Sequence, residues 1–536
     1  MKRFLIIIVL GIGFYWGMIA QSQFDYSLEI VPLEIDDLNG LHSYAFAIHE
    51  GKWVVIGGRR DGIHARQPFN AFPQNFNNTE ILLIDPIARQ FWSASVETLS
   101  SGLREQMQST NMNFYQEGDH LVVIGGYAFS PTANDHITFP NLTVVHLPGL
   151  IDAILNNADI NPFFNQIEDE RMAVTGGQVG KLGNYFLLVG GHRFDGRYNP
   201  QGPNHGPGFS QEYSNQIRKF KLNLNQNEPI IEEYSTMTDP IHLRRRDYNL
   251  VPQILLDGSE GYMISSGVFQ INEDLPFLYP VFISENDYQA VPEFNQYLSN
   301  YHSPKVGLYD SLNEEMHSLF FGGISQYYYE NGQMVRDDLV PFVNTISLVT
   351  RYADGSLEEF VLPLEMPGLR GASAEFIINT ELPIYKNKTV KLSEIEDEEF
   401  LLGYIFGGIY SPIRNAFATN QTHLTEADNV IYEIRMKRDN LSEVYGPLNG
   451  SNPHTFELFP NPAEDYFTVS FPMQKPVKVD YFITDSLGKI IEQGYIKTIL
   501  GENILKFRPE TDSRQLIFTL VFDNKYYMSK NVLMVR

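Results

Sequence analysis

Runs of apolar residues that end in Gly-Gly and lead into a long polar stretch recur along the chain, at 54–58, 122–126, 187–191, 319–323 and 404–408. A degraded copy at 262–267, with Ser265-Ser266-Gly267 in place of the diglycine, fills the widest interval and makes six units. Each run has strand length and is too short for a helix. A second strand-like segment lies upstream of each, at 42–49, 109–115, 172–176, 248–255, 303–309 and 372–378. Downstream, after the polar stretch, a third usually begins at Asn, over 78–84, 141–147, 215–222, 344–350 and 429–436. A fourth follows at 90–93, 230–234 and 357–362.

Four strands per unit, with glycine where the second strand turns out, is the pattern of a β-propeller blade. Across roughly 25–446 these features resemble the kelch family, although the units exceed that family's usual period. Its final-strand Trp is clear only at Trp92. The resemblance implies an all-β, six-bladed kelch-like β-propeller. The sixth unit is short of an outer strand, whereas 26–35 is strand-like and precedes the first unit. The expectation is that this N-terminal strand closes the ring beside 430–436, leaving no open seam.

Residues 447–453 have linker composition. From His454 onward the pattern changes to strands at 466–471, 477–484, 488–495, 503–507, 516–522 and 530–535, predicting a small antiparallel β-sandwich. Phe459-Pro460-Asn461-Pro462-Ala463, the turn Asp485-Ser486-Leu487-Gly488-Lys489 and the basic-apolar stretch 530–536 resemble the type A C-terminal sorting domain of the type IX secretion system of Bacteroidota. One departure is Ser513-Arg514-Gln515-Leu516, where that family has Gly-Xaa-Tyr. The resemblance implies type IX secretion machinery as a partner of 454–536, and a product released or attached at the outer cell surface.

Lys2 and Arg3 precede an apolar stretch to Ile19, and Ala20 precedes polar Gln21, which predicts a cleaved signal peptide over 1–20 and a propeller over 21–446. No later stretch is long and apolar enough to span a bilayer. With Lys plus Arg at 39 and Asp plus Glu at 65, the net charge is −26, which argues against nucleic acid as a partner. Cys is absent, which removes disulfides, thiolate metal sites and a Cys nucleophile. The copper-radical oxidases that share the kelch fold need a Tyr–Cys crosslink and are excluded. There is no Gly-Xaa-Ser-Xaa-Gly, no His-Glu-Xaa-Xaa-His and no phosphate-binding glycine loop. No cofactor and no metal site is expected.

The arginines are the remaining signal. Of 18 in 25–446, 13 fall in loops that strand counting places on one face. After the diglycines come Arg59, Arg60, His64 and Arg66, then His136, then His192, Arg193, Arg197 and His205, then Arg336 and Arg414. Before the first strands come Arg104, Arg171, Arg244, Arg245, Arg246 and Arg370. Arg104, Arg171, Arg245 and Arg370 hold equivalent positions, and the kelch resemblance gives them a structural role, pairing with carboxylates between blades. For Arg59, Arg60, His192, Arg193, Arg197 and Arg414 the expectation is a ligand site at the mouth of the channel, because guanidinium groups take carboxylate, sulfate or phosphate bidentately. Together these readings predict an exported binding module for an anionic glycan or a surface protein. The alternative is a carbohydrate-active enzyme such as a sialic-acid epimerase-like isomerase.

Overall fold

In the computed structural model, the structure describes residues 24–438 apart from 201, 203–205, 207, 225–227 and 331–332, and residues 456–535 apart from 474–475, 486–488, 510, 512 and 523–525. The expected signal peptide 1–20 and linker 447–453, His205 and residues 486–488 lie outside them. The chain is almost wholly β. Six sheets contain four antiparallel strands in succession: Ala45–His49 to Gln90–Ser95, Asn113–Glu117 to Phe164–Glu168, Gln178–Leu182 to Ile230–Thr238, Asn249–Ile254 to Tyr288–Ala290, Lys305–Asp310 to Leu357–Glu365, and Glu375–Ile378 with Glu399–Phe406, Ile431–Arg438 and Tyr26–Leu33. The last is the expected closure: Tyr26 stands opposite Arg438 and Leu33 opposite Ile431.

The six units are joined in a ring at the starts of their first strands. Ser43 N–H donates to the Ser373 carbonyl, Ser373 to His302, His302 to Asp247, Asp247 to Gly176, Gly176 to Asn111 and Asn111 back to Ser43, at 2.8–3.2 Å. Among the described residues the circuit passes once beside each of these sheets and closes on Ser43. The diglycines make the neighbouring joints. Gly408 N–H donates to Leu41 O at 2.8 Å, and Gly407 has φ +69° with an added Cβ only 2.1 Å from that same carbonyl. A side chain there would drive the sixth sheet off the first, which is why the sequence spends glycine.

Two expected elements moved. The first strand of the third unit is Gln178–Leu182, not 172–176. The apolar Met172-Ala173-Val174 is buried instead as a joint, with Val174 O accepting from Gly126 N–H at 3.1 Å. The second unit does have a fourth strand, Phe164–Glu168, set apart from its third by the helix Leu147–Leu155.

Phe467–Met473 pairs with Glu457–Phe459 and Gly501–Phe507 to form one sheet of the C-terminal unit. Lys478–Asp485, Ile490–Lys497, Gln515–Phe522 and Tyr526–Leu533 form the other. Phe467, Val469, Val479, Ile483, Leu516 and Phe518 from the two sheets share one buried core, a sandwich as expected.

Candidate functional site

The loops after the diglycines fold into short hairpins, among them Tyr127–Ser130 with Asp135–Thr138, His192–Gly196 with Phe209–Tyr213, and Tyr327–Glu330 with Gln333–Arg336. They carry side chains of distant units to one place. His64 stacks on Phe72 at 4.7 Å and meets Tyr198 at 4.6 Å and Phe417 at 5.2 Å, so the first, third and sixth units share an aromatic cluster.

The triple Arg244-Arg245-Arg246 divides its labour. Arg245 is fully buried between the rings of Phe277 and Tyr279, and donates to the carbonyls of His242, Ser266 and Tyr279 at 3.0, 2.6 and 2.7 Å. Burial lowers its pKa to about 10. It therefore stays charged near neutrality, and its hydrogen-bonded partners are carbonyls rather than the carboxylates expected. Arg244 lies over Tyr213 at 3.8 Å. Arg246 pairs with Asp247, a member of the ring circuit, lies 5.0 Å over Phe269 and donates through Nε to the Tyr213 hydroxyl at 3.2 Å.

Arg246 organises the electrostatics of this mouth. His64 and His192 are driven down first by burial, and the Arg246 charge adds to the effect in both; His64 falls to about 4 and His192 well below its ordinary value. Both are neutral at pH 7. Tyr198 and Tyr301 are raised by burial, with Arg246 opposing. Arg246 is thus within electrostatic reach of His64, His192, Tyr198 and Tyr301, side chains of the first, third and fifth units. Arg246 Nη2 makes no hydrogen bond among the described residues.

The expected site residues differ in how far their donors are engaged. Arg59 is buried and grips Asp61 bidentately at 2.8 and 2.6 Å, with Nη1 on Asn77 Oδ1 at 2.9 Å. Burial alone would raise the Asp61 carboxyl, but His42, 3.7 Å away, and the hydrogen bonds and charge of Arg59 hold it below its ordinary value. Arg60 donates to Asn78 Oδ1 at 2.9 Å, and its Nε is buried without a hydrogen-bond partner among the described residues. His192 Nδ1 accepts from Gln211 Nε2 at 2.6 Å. Arg193 is 41% exposed and bridges Asp195 at 2.7 Å and Glu170 at 2.6 Å. Arg197 donates to Phe69 O at 3.3 Å. Arg414 lies 4.2 Å over Tyr328 with Nη1 buried and without a hydrogen-bond partner among the described residues. A ligand would have to displace a carboxylate to reach the forks of Arg59 or Arg193. Arg246 and Arg414 keep unspent donors.

Of the arginines expected to be structural, Arg104 is near Glu97 at 3.5 Å, while Arg171 pairs with Asp169 and Arg370 with Asp428. Arg336 sits on Asp338, exposed. Arg246, Tyr213 and Tyr301 were not singled out from the sequence. The available signal was the third Arg, where other units carry one.

Among the described residues no group of three metal-ligating side chains gathers, and no helix is long and apolar enough to cross a membrane. None of the curated proteins compared matches the chain. A solved structure titled "Structure of YjhT" aligns over 74% of this chain and 96% of its own, at 9% identity and a TM-score of 0.40. Residues 457–506, which span most of the two sheets of the C-terminal unit, match the secretion system C-terminal sorting domain. The chain therefore carries a type IX sorting domain, its partner is the type IX secretion machinery, and the protein is secreted to the cell surface or outside the cell.

Proposed function

We propose that this exported protein is a binding module: a six-bladed kelch-like propeller, over 21–446, whose loop-face recess takes an anionic glycan. In this reading residues 1–20 are the cleaved signal and 447–453 the linker to the sorting domain. Arg246 carries the proposal. Its guanidinium retains Nη2 among the described residues, beside Tyr213 and Phe269 and within electrostatic reach of Tyr301 and the neutral His192. A recessed cation with low-dielectric walls focuses its field and draws an anion despite the acidic net charge. Aromatic faces beside it suit sugar rings. Arg197 and Arg414 extend the cationic rim, Arg59 and Arg193, paired with carboxylates, fix its shape, and Arg60 is held only by Asn78.

The second reading, an isomerase of acidic sugars, is favoured by one observation: two neutral imidazoles, half-buried His64 and buried His192, lie within electrostatic reach of the cation and could move a proton. An array of acidic and neutral glycans, followed by product analysis of every glycan bound, separates the two. Retention of an acidic glycan without turnover supports the binding module. A changed product supports the enzyme. Equal retention of neutral and acidic glycans refutes both.

A further inference from the structure

Beneath the ring of strand starts lies a cavity of about 260 Å³. All six first strands line it, so it runs along the axis that the sheets surround. Its walls are mostly apolar, with Phe46, Phe114, Leu250, Phe376 and Ile378 among them. Phe46 and Phe114 meet edge to face at 5.3 Å. Two of the amides that line it are engaged by backbone, Gln116 with Ile48 and Gly118 and Gln178 with Tyr248 and Leu250, while Asn113 Oδ1 is buried without a hydrogen-bond partner among the described residues.

Apart from tyrosines, five ionisable groups interrupt these walls: Asp247, already paired with Arg246, and His302, Lys305, Glu375 and Lys388 from the fifth and sixth units. His302 Nε2 stands 3.1 Å from Glu375 Oε1, and Lys305 Nζ stands 3.7 Å from Glu375 Oε2. Burial works against the Glu375 charge, but Lys305 and His302 outweigh it and hold the carboxyl below its ordinary value. Lys305 is lowered by burial, with Glu375 opposing. At 3.7 Å the ammonium is beyond hydrogen-bond reach of its counterion, and among the described residues none of its three donors is spent. An enclosed ammonium with unspent donors requires oxygen acceptors. An apolar-walled pocket with a few convergent polar groups is the usual architecture of a small-molecule site.

We propose that this cavity is a second ligand site, distinct from the loop-face recess, for a small monocarboxylate with an apolar tail. The carboxylate accepts from Lys305 Nζ, and the tail lies along the Phe46–Phe114–Phe376 wall. With Asp247 held by Arg246, the side chains of Lys305, Lys388 and His302 are left with one protein carboxylate, Glu375, so a second carboxylate is the complement. A first strand of five residues spans about 13 Å, enough for a chain of several carbons. The proposal does not depend on the glycan reading.

The test is calorimetric titration of the mature full-length protein with octanoate and with octanol. A charged hydrogen bond to the head group predicts octanoate about ten- to a hundredfold tighter than octanol. The double variant Lys305→Met/Glu375→Gln removes the ion pair without stranding a charge. It is expected to erase the preference while octanol binding persists. Any one of the following results overturns the site: no octanoate binding at millimolar concentration, equal affinity for acid and alcohol, or an unchanged preference in the double variant.

Discussion

Replacing Arg245 by Met tests how the fold uses its arginines. Met keeps most of the apolar stem between Phe277 and Tyr279, so the packing loss is small. What disappears is a charged donor to three carbonyls, those of His242, Ser266 and Tyr279. A buried acceptor left without its donor costs about 1–3 kcal/mol. Against this stands relief from burying a cation that has no carboxylate among its hydrogen-bonded partners and one unsatisfied Nη2. The balance is a destabilisation of about 3 kcal/mol. Urea unfolding followed by circular dichroism reads it as a lower midpoint at unchanged slope. Arg193→Ala, on an exposed bridge, should cost under about 1 kcal/mol in the same assay. Equal losses for the two variants, or a loss below about 0.5 kcal/mol for Arg245→Met, would refute the argument.

Three further outcomes follow from particular contacts. Gly407→Ala should destabilise by more than about 2 kcal/mol, since its left-handed φ and the Leu41 carbonyl both oppose a Cβ; an unchanged melting temperature contradicts the joint. Removal of residues 24–35 should open the ring and raise hydrogen exchange along Ile431–Arg438, whose partner strand is lost; unaltered protection there would show that the strand is not needed. His64 and His317 both fall to about 4, chiefly by burial, so the unfolded chain binds more protons between pH 6.5 and 4. The stability they contribute is present above pH 6.5 and lost as pH falls toward 4, by up to about 3 kcal/mol each; His317→Phe should flatten that part of the melting-temperature profile, and an identical slope would remove His317 from the account.

The ring was legible because its joints demand particular residues. A diglycine is required where a carbonyl of the next unit lies 2.1 Å from an added Cβ, as at Gly407. Asn78 marks the third strand of its unit because its Nδ2 donates to Gly57 O and Glu80 O. The fourth unit is degraded in sequence yet intact in form: Ser266 takes φ +57° and ties its hydroxyl to Phe277 O. The strands Val281–Ile283 and Tyr288–Ala290 were not legible, since three residues show no periodicity. The loop face was legible as a concentration of Arg, but not the fate of each fork. Arg59 and Asp61 are two residues apart, and nothing in that spacing says they pair bidentately rather than face a ligand. Lys305 and Glu375 meet only because two strand starts are neighbours in the ring.

The central claim is that Arg246 in the loop-face recess binds an acidic glycan. Titration of the mature protein with the tightest acidic glycan from the array, before and after Arg246→Met, tests it most directly. Loss of one charge-assisted contact to a buried cation should weaken binding by about 2–5 kcal/mol, with the melting temperature lowered by no more than a few degrees and Arg193→Ala binding as the parent does. Unchanged affinity in Arg246→Met, or a loss confined to Arg193→Ala, contradicts the assignment.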